Sequence, residues 1–244
     1  MDFSTYLYLI GIGFYLFISS INPKDFMNKV CKLILWVFQF KIEMTKEEIQ
    51  DLPSKLIIVS SHTSVYDFLF SYIIYKIYFS EKYKFELVMK KRYEEGITEI
   101  CKKIEPKMDI IPIEENEKEF KEKKENEKTT WKRGGMTQQI IDYLKNKDEY
   151  ILGIAPEGTR KCVDKIRRGY YFIAKELDIE VIYMGIDYKK RMIKMEKVHR
   201  IEDSWEKEEE WFIENCKKYT PLFPERCFWN RDEFLEEWKK EKNI

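Results

Sequence analysis

The sequence predicts an α/β fold with a central mixed, mostly parallel sheet flanked by helices on both faces. Between residues 50 and 190, short apolar runs rich in β-branched residues alternate with longer helical patterns. Such runs are typical of strands buried on both faces of a sheet. The chain of 244 residues can form one sizeable domain with an appendage, so we divide it into residues 1–48 and residues 49–244.

Composition excludes some classes of partner and site. The 44 basic and 44 acidic residues balance, so the chain lacks the one-sided positive charge expected of a nucleic-acid-binding protein. The five cysteines are an odd number and form no C-x-x-C motif or Cys/His cluster, which predicts neither a metal site nor a disulfide framework. The 16% aromatic content fits a membrane-contacting protein or an aromatic-rich core.

The N-terminal segment Phe3–Asn22 carries no charge. About twenty apolar residues are enough for a helix to cross a bilayer. We therefore predict a membrane-associated helix here; a helix packed on the rest of the protein is the alternative. Lys24, Lys29 and Lys32 follow the segment, which favours a cytoplasmic location for everything after it.

The next apolar run, Val30–Phe40, is too short to span a membrane. It suits an interfacial helix or the second arm of a shallow hairpin, with Trp36 at the level of the lipid headgroups. A core helix or strand is the alternative. On this basis residues 1–48 are predicted to form a membrane anchor and an interfacial helix.

The first motif follows a predicted strand at Leu56–Val59 and precedes a predicted helix at Val65–Phe79. His62 lies in the turn between them. If Asp67 falls in the first helical turn, its carboxylate can accept one imidazole N–H and leave the other ring nitrogen free as a base. The alternative is that Ser64 and Asp67 form a helix capping box, in which Asp67 binds only backbone N–H groups.

The middle of the chain adds further elements. Strands are predicted at Lys84–Met89 and Met108–Ile113, with a helix at residues 95–104 between them. Residues 114–128 are charged and low in complexity, so we interpret them as a loop or a solvated helix. A helix at Thr137–Asn146 completes this region.

The second motif follows a strand beginning at Tyr150 and reads Pro156-Glu157-Gly158-Thr159-Arg160. Gly158 allows close backbone approach, Thr159 offers a hydroxyl, and Arg160 offers a planar fork that matches a phosphate. An ordinary turn with a surface arginine is the alternative. Cys162, two residues further on, is predicted to be chemically passive.

The last third of the chain is predicted to form a hairpin followed by a helical tail. Strands at Ile179–Ile186 and Arg191–Lys197 are joined across Asp187–Lys190, and the tail begins at Asp203. His199 has no carboxylate at the spacing of the first motif, so we interpret it as structural or surface-exposed.

The ordered pair of motifs, His62-x4-Asp67 and then Pro156-Glu-Gly-Thr-Arg160, resembles the glycerolipid acyltransferase family, typified by lysophosphatidic acid acyltransferases. The resemblance covers roughly residues 50 to 190 and makes residues 49–244 an acyltransferase domain. It implies that His62 and Asp67 are catalytic. It also implies that Glu157, Gly158, Thr159 and Arg160 form the acceptor site.

The resemblance further implies transfer of a fatty acyl group from an acyl-CoA or acyl carrier protein thioester to the hydroxyl of a lysophospholipid. The expected acceptor is 1-acylglycerol-3-phosphate, giving phosphatidic acid at a membrane, without cofactor or metal and with the catalytic domain on the cytoplasmic side. Other lysophospholipids or lipid hydroxyls, thioester hydrolysis, and a non-catalytic lipid-binding role are the alternatives. The segment Met108–Glu114 lacks the glycine and arginine that the family usually has between the two motifs.

Overall fold

A computed structural model describes residues 23–44, 48–49, 51–90, 107–113, 135–229, 236 and 240. Seven strands within these residues form one sheet in the order β1-β7-β6-β2-β5-β3-β4. The strands are β1 (Lys41–Glu43), β2 (Lys55–Val59), β3 (Lys84–Lys90), β4 (Met108–Ile113), β5 (Tyr150–Ile154), β6 (Glu180–Asp187) and β7 (Met192–Met195). Only the β6–β7 pair is antiparallel among these neighbours, which confirms the predicted mixed, mostly parallel sheet.

Five α-helices lie within the same part of the chain. They are α1 (Pro23–Val37), α2 (Val65–Ile74), α3 (Met136–Leu144), α4 (Gly169–Leu177) and α5 (Trp205–Lys217). Helix α2 continues into a π-helical segment at Tyr75–Phe79, so the predicted helix over residues 65–79 is confirmed as one helical stretch.

Successive side chains of a strand point to opposite faces of a sheet. In the central strands both sets of side chains are buried, because helices cover each face. In β2, Ile57 and Val59 join a cluster with side chains of α3, α4 and α5. Leu56 and Ile58 join a second cluster that contains residues of α1, α2 and the π-helical segment. This two-sided burial explains why β2 is apolar almost throughout.

Helix α1 is amphipathic. It buries Cys31 and Leu35 against the second cluster and leaves Leu33, Trp36 and Val37 exposed to solvent. A helix in this region is confirmed, but it spans Pro23–Val37 rather than Val30–Phe40, and its interfacial position stays a prediction.

Several sequence-based predictions fall on residues outside those that the structure describes. They are the membrane segment at residues 3–22, the helix at residues 95–104 and the charged stretch at residues 114–128. Among the helices of residues 23–229 that are described, none is long and apolar enough to cross a bilayer. The division into residues 1–48 and 49–244 stays a prediction.

Candidate active site

Both sequence motifs lie at one edge of the sheet, where adjacent parallel strands end. Strands β2 and β5 are neighbours, with Val59 opposite Ile154, so the loops that follow them leave the sheet side by side. The backbone N–H of Ser60 donates to the carbonyl of Ile154 at 3.3 Å and extends the pairing into the first loop. The carboxyl edge of a parallel sheet is where ligands bind in open α/β folds.

His62 and Asp67 face each other at this edge. Asp67 is the third residue of α2, so the turn of the helix brings its carboxylate back towards the preceding loop. The imidazole Nδ1 lies 3.4 Å from Asp67 Oδ2, which is long for a hydrogen bond but close enough for orientation. The imidazole Nε2 has no hydrogen-bond partner among the residues described, and the side chain is 27% exposed.

Asp67 also forms the capping box that the sequence offered as an alternative. Its Oδ2 accepts from the backbone N–H groups of Thr63 at 2.8 Å and Ser64 at 2.7 Å. The Ser64 hydroxyl accepts in turn from the N–H of Tyr66. The two interpretations are compatible, since one carboxylate oxygen caps the helix and faces His62.

Tyr188, which sequence analysis did not predict as a site residue, contacts the same carboxylate from across the sheet edge. Its hydroxyl donates to Asp67 Oδ1 at 2.5 Å. Tyr188 directly follows β6, and β6 runs parallel to β2. A search for polar residues just after every predicted strand of the sheet would have found it.

Glu157 joins the two motifs. It is 5% exposed, and its Oε1 accepts from the backbone N–H of His62 at 3.3 Å. Its Oε2 has no hydrogen-bond partner within the described residues. Burial raises the pKa of Glu157 to about 7, against the opposing effect of the hydrogen bond from His62.

The rest of the second motif forms an exposed turn. Gly158 adopts a left-handed conformation with φ of 62°, and a Cβ atom there would lie 3.1 Å from the guanidinium of Arg167. The Thr159 hydroxyl accepts from the N–H of Lys161 at 3.3 Å. Arg160 is exposed and makes no hydrogen bond or ion pair with any residue that the structure describes.

The segment after α5 also reaches the site, which the sequence did not predict. Arg226 Nη1 donates to the carbonyl of Thr63 at 2.9 Å. Cys162 Sγ, in the second motif loop, donates to the carbonyl of Cys227 at 3.4 Å. The tail thus contacts both motif loops at once.

The second histidine has a different environment. His199 Nε2 lies 2.9 Å from Oε2 of the fully buried Glu208, and its ring stacks on Trp211 at 3.9 Å. Both partners belong to α5, so His199 helps to dock the C-terminal helix. These contacts agree with the structural interpretation.

The arrangement can perform base catalysis without a protein nucleophile. An imidazole with one nitrogen beside a carboxylate and the other free can remove a proton from an incoming hydroxyl. The neighbouring turn presents an unpaired arginine suited to an anionic group.

Comparison with known proteins agrees with this chemistry. The family model described as Acyltransferase matches residues 41–187, which is more than half of the chain. The searches of curated proteins and of solved structures returned no match. The matched region contains both motifs and six complete strands, β1 to β6. The chain belongs to the acyltransferase family, the group of glycerolipid and lysophosphatidic-acid-acyltransferase-like proteins.

Proposed function

We propose that the protein transfers a fatty acyl group from a thioester to the free hydroxyl of a lysophospholipid, with 1-acylglycerol-3-phosphate as the acceptor and phosphatidic acid as the product. The observation that carries the proposal is the hydrogen bond from the His62 N–H to Glu157. This backbone hydrogen bond keeps the imidazole–carboxylate pair beside the turn that bears Arg160, which supports a base and a phosphate-binding group at one edge of the sheet.

In the proposed mechanism, His62 Nε2 removes the proton of the acceptor hydroxyl as that oxygen attacks the thioester carbonyl carbon. The carbon–sulfur bond then breaks, and the imidazolium returns the proton to the departing thiolate. Asp67 orients the ring and stabilises the imidazolium. A positioned base of this kind contributes a rate factor of about 10² to 10⁴. No acyl-enzyme forms, and the acyl-CoA or acyl carrier protein thioester is a co-substrate rather than a cofactor.

Thr159 and Arg160 are proposed to bind the acceptor phosphate, with Glu157 and Gly158 shaping the turn. Arg160 lies three residues after Glu157, so the two Cα atoms are at most about 11 Å apart. The hydroxyl and phosphate of lysophosphatidic acid are separated by only two carbons and one ester oxygen, so binding both groups at once requires the long Arg160 side chain to reach towards His62. The exposed, unpaired guanidinium supports this role.

Membrane association is proposed from the exposed apolar side chains beside the site. They lie on α1 and the turn after it, and on the first turns of α2: Leu33, Trp36, Val37, Phe38, Val65, Tyr66 and Phe68. We call this set the apolar face. The rings of Phe38 and Phe70 are 6.3 Å apart, so the two helices present it together. Exposed Lys29 and Lys32 flank it on α1 and suit anionic headgroups on the cytoplasmic side.

The test uses the purified full chain with labelled acyl-CoA and, as separate acceptors, lysophosphatidic acid and a neutral monoacylglycerol. We expect labelled phosphatidic acid, its loss by at least a hundredfold in His62→Ala, and its retention in the control His199→Gln. Melting temperatures establish that both variants are folded.

Each other outcome counts against a stated part of the proposal. Acyl transfer that survives His62→Ala contradicts the base. Equal rates with the neutral acceptor contradict the phosphate role of Arg160. Free fatty acid as the main product, whether or not an acceptor is present, identifies a thioester hydrolase instead.

A further inference from the structure

Asp67 is held by donors on both of its oxygens. The backbone N–H groups of Thr63 and Ser64 bind Oδ2, the oxygen that faces His62 Nδ1. The Tyr188 hydroxyl binds Oδ1, and no other donor to that oxygen occurs in the part of the chain that the structure describes. Tyr188 is therefore the donor that holds the second oxygen, so the carboxylate is held from both sides rather than on Oδ2 alone.

Tyr188 is itself firmly placed. Its ring packs edge-on against Phe40 at 5.6 Å and Phe70 at 6.0 Å, and its backbone N–H donates to the carbonyl of Thr220 at 2.8 Å. Burial and the neighbouring Asp67 carboxylate raise the pKa of Tyr188 well above its usual value. The hydroxyl consequently keeps its proton and acts as the donor to Asp67.

We propose that Tyr188 is a positioning residue for acyl transfer, which acts by fixing the Asp67 carboxylate so that its Oδ2 faces the imidazole of His62. This inference rests on the proposed function. Tyr188 lies one residue beyond the region that matches the acyltransferase family, residues 41–187. Without the Tyr188 hydroxyl the carboxylate would be held on Oδ2 alone, and it would keep the imidazole in the productive orientation for a smaller fraction of the time.

Tyr188→Phe tests the proposal because it removes the hydroxyl and leaves the ring between Phe40 and Phe70. We expect kcat to fall about tenfold, as for the loss of one charge-assisted hydrogen bond, with KM for thioester and acceptor unchanged within twofold. The matched control is Tyr143→Phe, which removes a tyrosine–aspartate hydrogen bond to Asp109 Oδ2 of 2.6 Å at another place in the fold. Its kcat should stay at the wild-type value.

A double-mutant cycle separates positioning from a general structural effect. If Tyr188 acts through Asp67, Tyr188→Phe has no further effect on kcat when Asp67 is already replaced by Ala, which leaves no oxygen for the hydroxyl to bind. An equal tenfold loss in the Asp67→Ala background overturns the proposal. So does an unchanged kcat in the single variant Tyr188→Phe.

A measurement that needs no activity keeps this inference distinct from the proposed function. The chain has two histidines, so ¹³C-labelled imidazoles give two resolvable Cε1–H signals. At fixed pH, Tyr188→Phe should shift the His62 signal and leave the His199 signal in place, whereas Tyr143→Phe should shift neither. An unshifted His62 signal overturns the positioning role. Absence of acyl transfer by the wild-type protein would instead contradict the proposed function.

Discussion

At the residue scale, one side chain serves both the fold and the proposed chemistry. Asp67 caps α2 through two backbone N–H groups and stands beside His62 with the same oxygen. The N-terminus of a helix attracts negative charge, so the capping position suits a carboxylate that lies beside the imidazole. Replacing Asp67 therefore changes both the stability of α2 and the orientation of His62. A lower reaction rate in such a variant reports both changes together.

Glu157 leads to a prediction about the pH dependence of stability. Its pKa is raised to about 7 in the folded chain, whereas an unfolded glutamate has a value of 4.5. The folded protein therefore binds this proton more tightly, and the free energy of unfolding decreases as pH rises from 4.5 to 7. The contribution of Glu157 to the free energy of unfolding is constant below pH 4.5 and above pH 7. Between these pH values it decreases by about 3 kcal/mol.

The neutral variant Glu157→Gln removes this dependence and keeps an acceptor for the His62 N–H. We expect its stability relative to the wild type to be about 2–3 kcal/mol higher at pH 8 than at pH 5. Denaturant unfolding of both proteins at the two pH values measures the difference. The same relative stability at pH 5 and pH 8 would contradict the burial of an ionisable carboxyl group.

Local spacing explains which site residues the sequence could reveal. His62 and Asp67 are five residues apart across a strand–helix junction, so their proximity depends only on where the helix begins. Tyr188 reaches Asp67 from 121 residues away and Arg226 reaches Thr63 from 163 residues away. Their contacts depend on strand order and on the path of the tail, which no spacing rule specifies.

At the element scale, the segment after α5 packs closely on strand β6 at a position where the strand has a glycine, Gly185. A methyl group at Gly185 would lie 2.2 Å from the ring of Tyr219. That ring stacks on Tyr183 at 5.8 Å, and its hydroxyl donates to Glu196 Oε1 at 2.6 Å, so it cannot move aside easily. Close packing of β6 against the segment after α5 thus requires the absence of a side chain.

We expect Gly185→Ala to reduce the free energy of unfolding by about 1–3 kcal/mol, as for other overpacked cores. Gly169→Ala is the control, because a methyl group there makes only an ordinary contact of 3.7 Å. Chemical denaturation measures both variants. Combining Gly185→Ala with Tyr219→Ala should cost less than the sum of the single variants; strict additivity would show that the two residues do not clash.

The elements themselves differed in how far the sequence revealed them. Strands β2, β4 and β5 were predicted close to their observed bounds because each is a compact apolar run. Strand β1 was not predicted. It lies at one edge of the sheet and has only three residues, which are too few for a hydrophobic alternation to be recognised in the sequence. The predicted hairpin of β6 and β7 was confirmed by their antiparallel pairing.

At the scale of the whole molecule, the apolar face lies beside the carboxyl edge that bears His62. Trp36 is 76% exposed and Val65 57% exposed, and Val65 begins the helix that Asp67 caps. An exposed apolar patch of this kind marks an interaction surface. A bilayer on this face would bring lipid acceptors to the His62–Asp67 pair without requiring them to leave the membrane.

The last prediction separates the apolar face from the N-terminal segment as sources of membrane binding. In a chain that lacks residues 1–22, binding to anionic vesicles should persist at a reduced level. Adding Trp36→Ser and Val37→Ser should weaken it at least tenfold, because exposed apolar side chains gain roughly 1 kcal/mol or more each on entering the interface. Val198→Ser is the control, since Val198 is exposed outside the apolar face. Co-sedimentation with vesicles measures all three proteins. Equal binding of the Trp36/Val37 variant and the control would mean that the apolar face does not contact lipid, and the binding that remains in the truncated chain would then come from another part of residues 23–244.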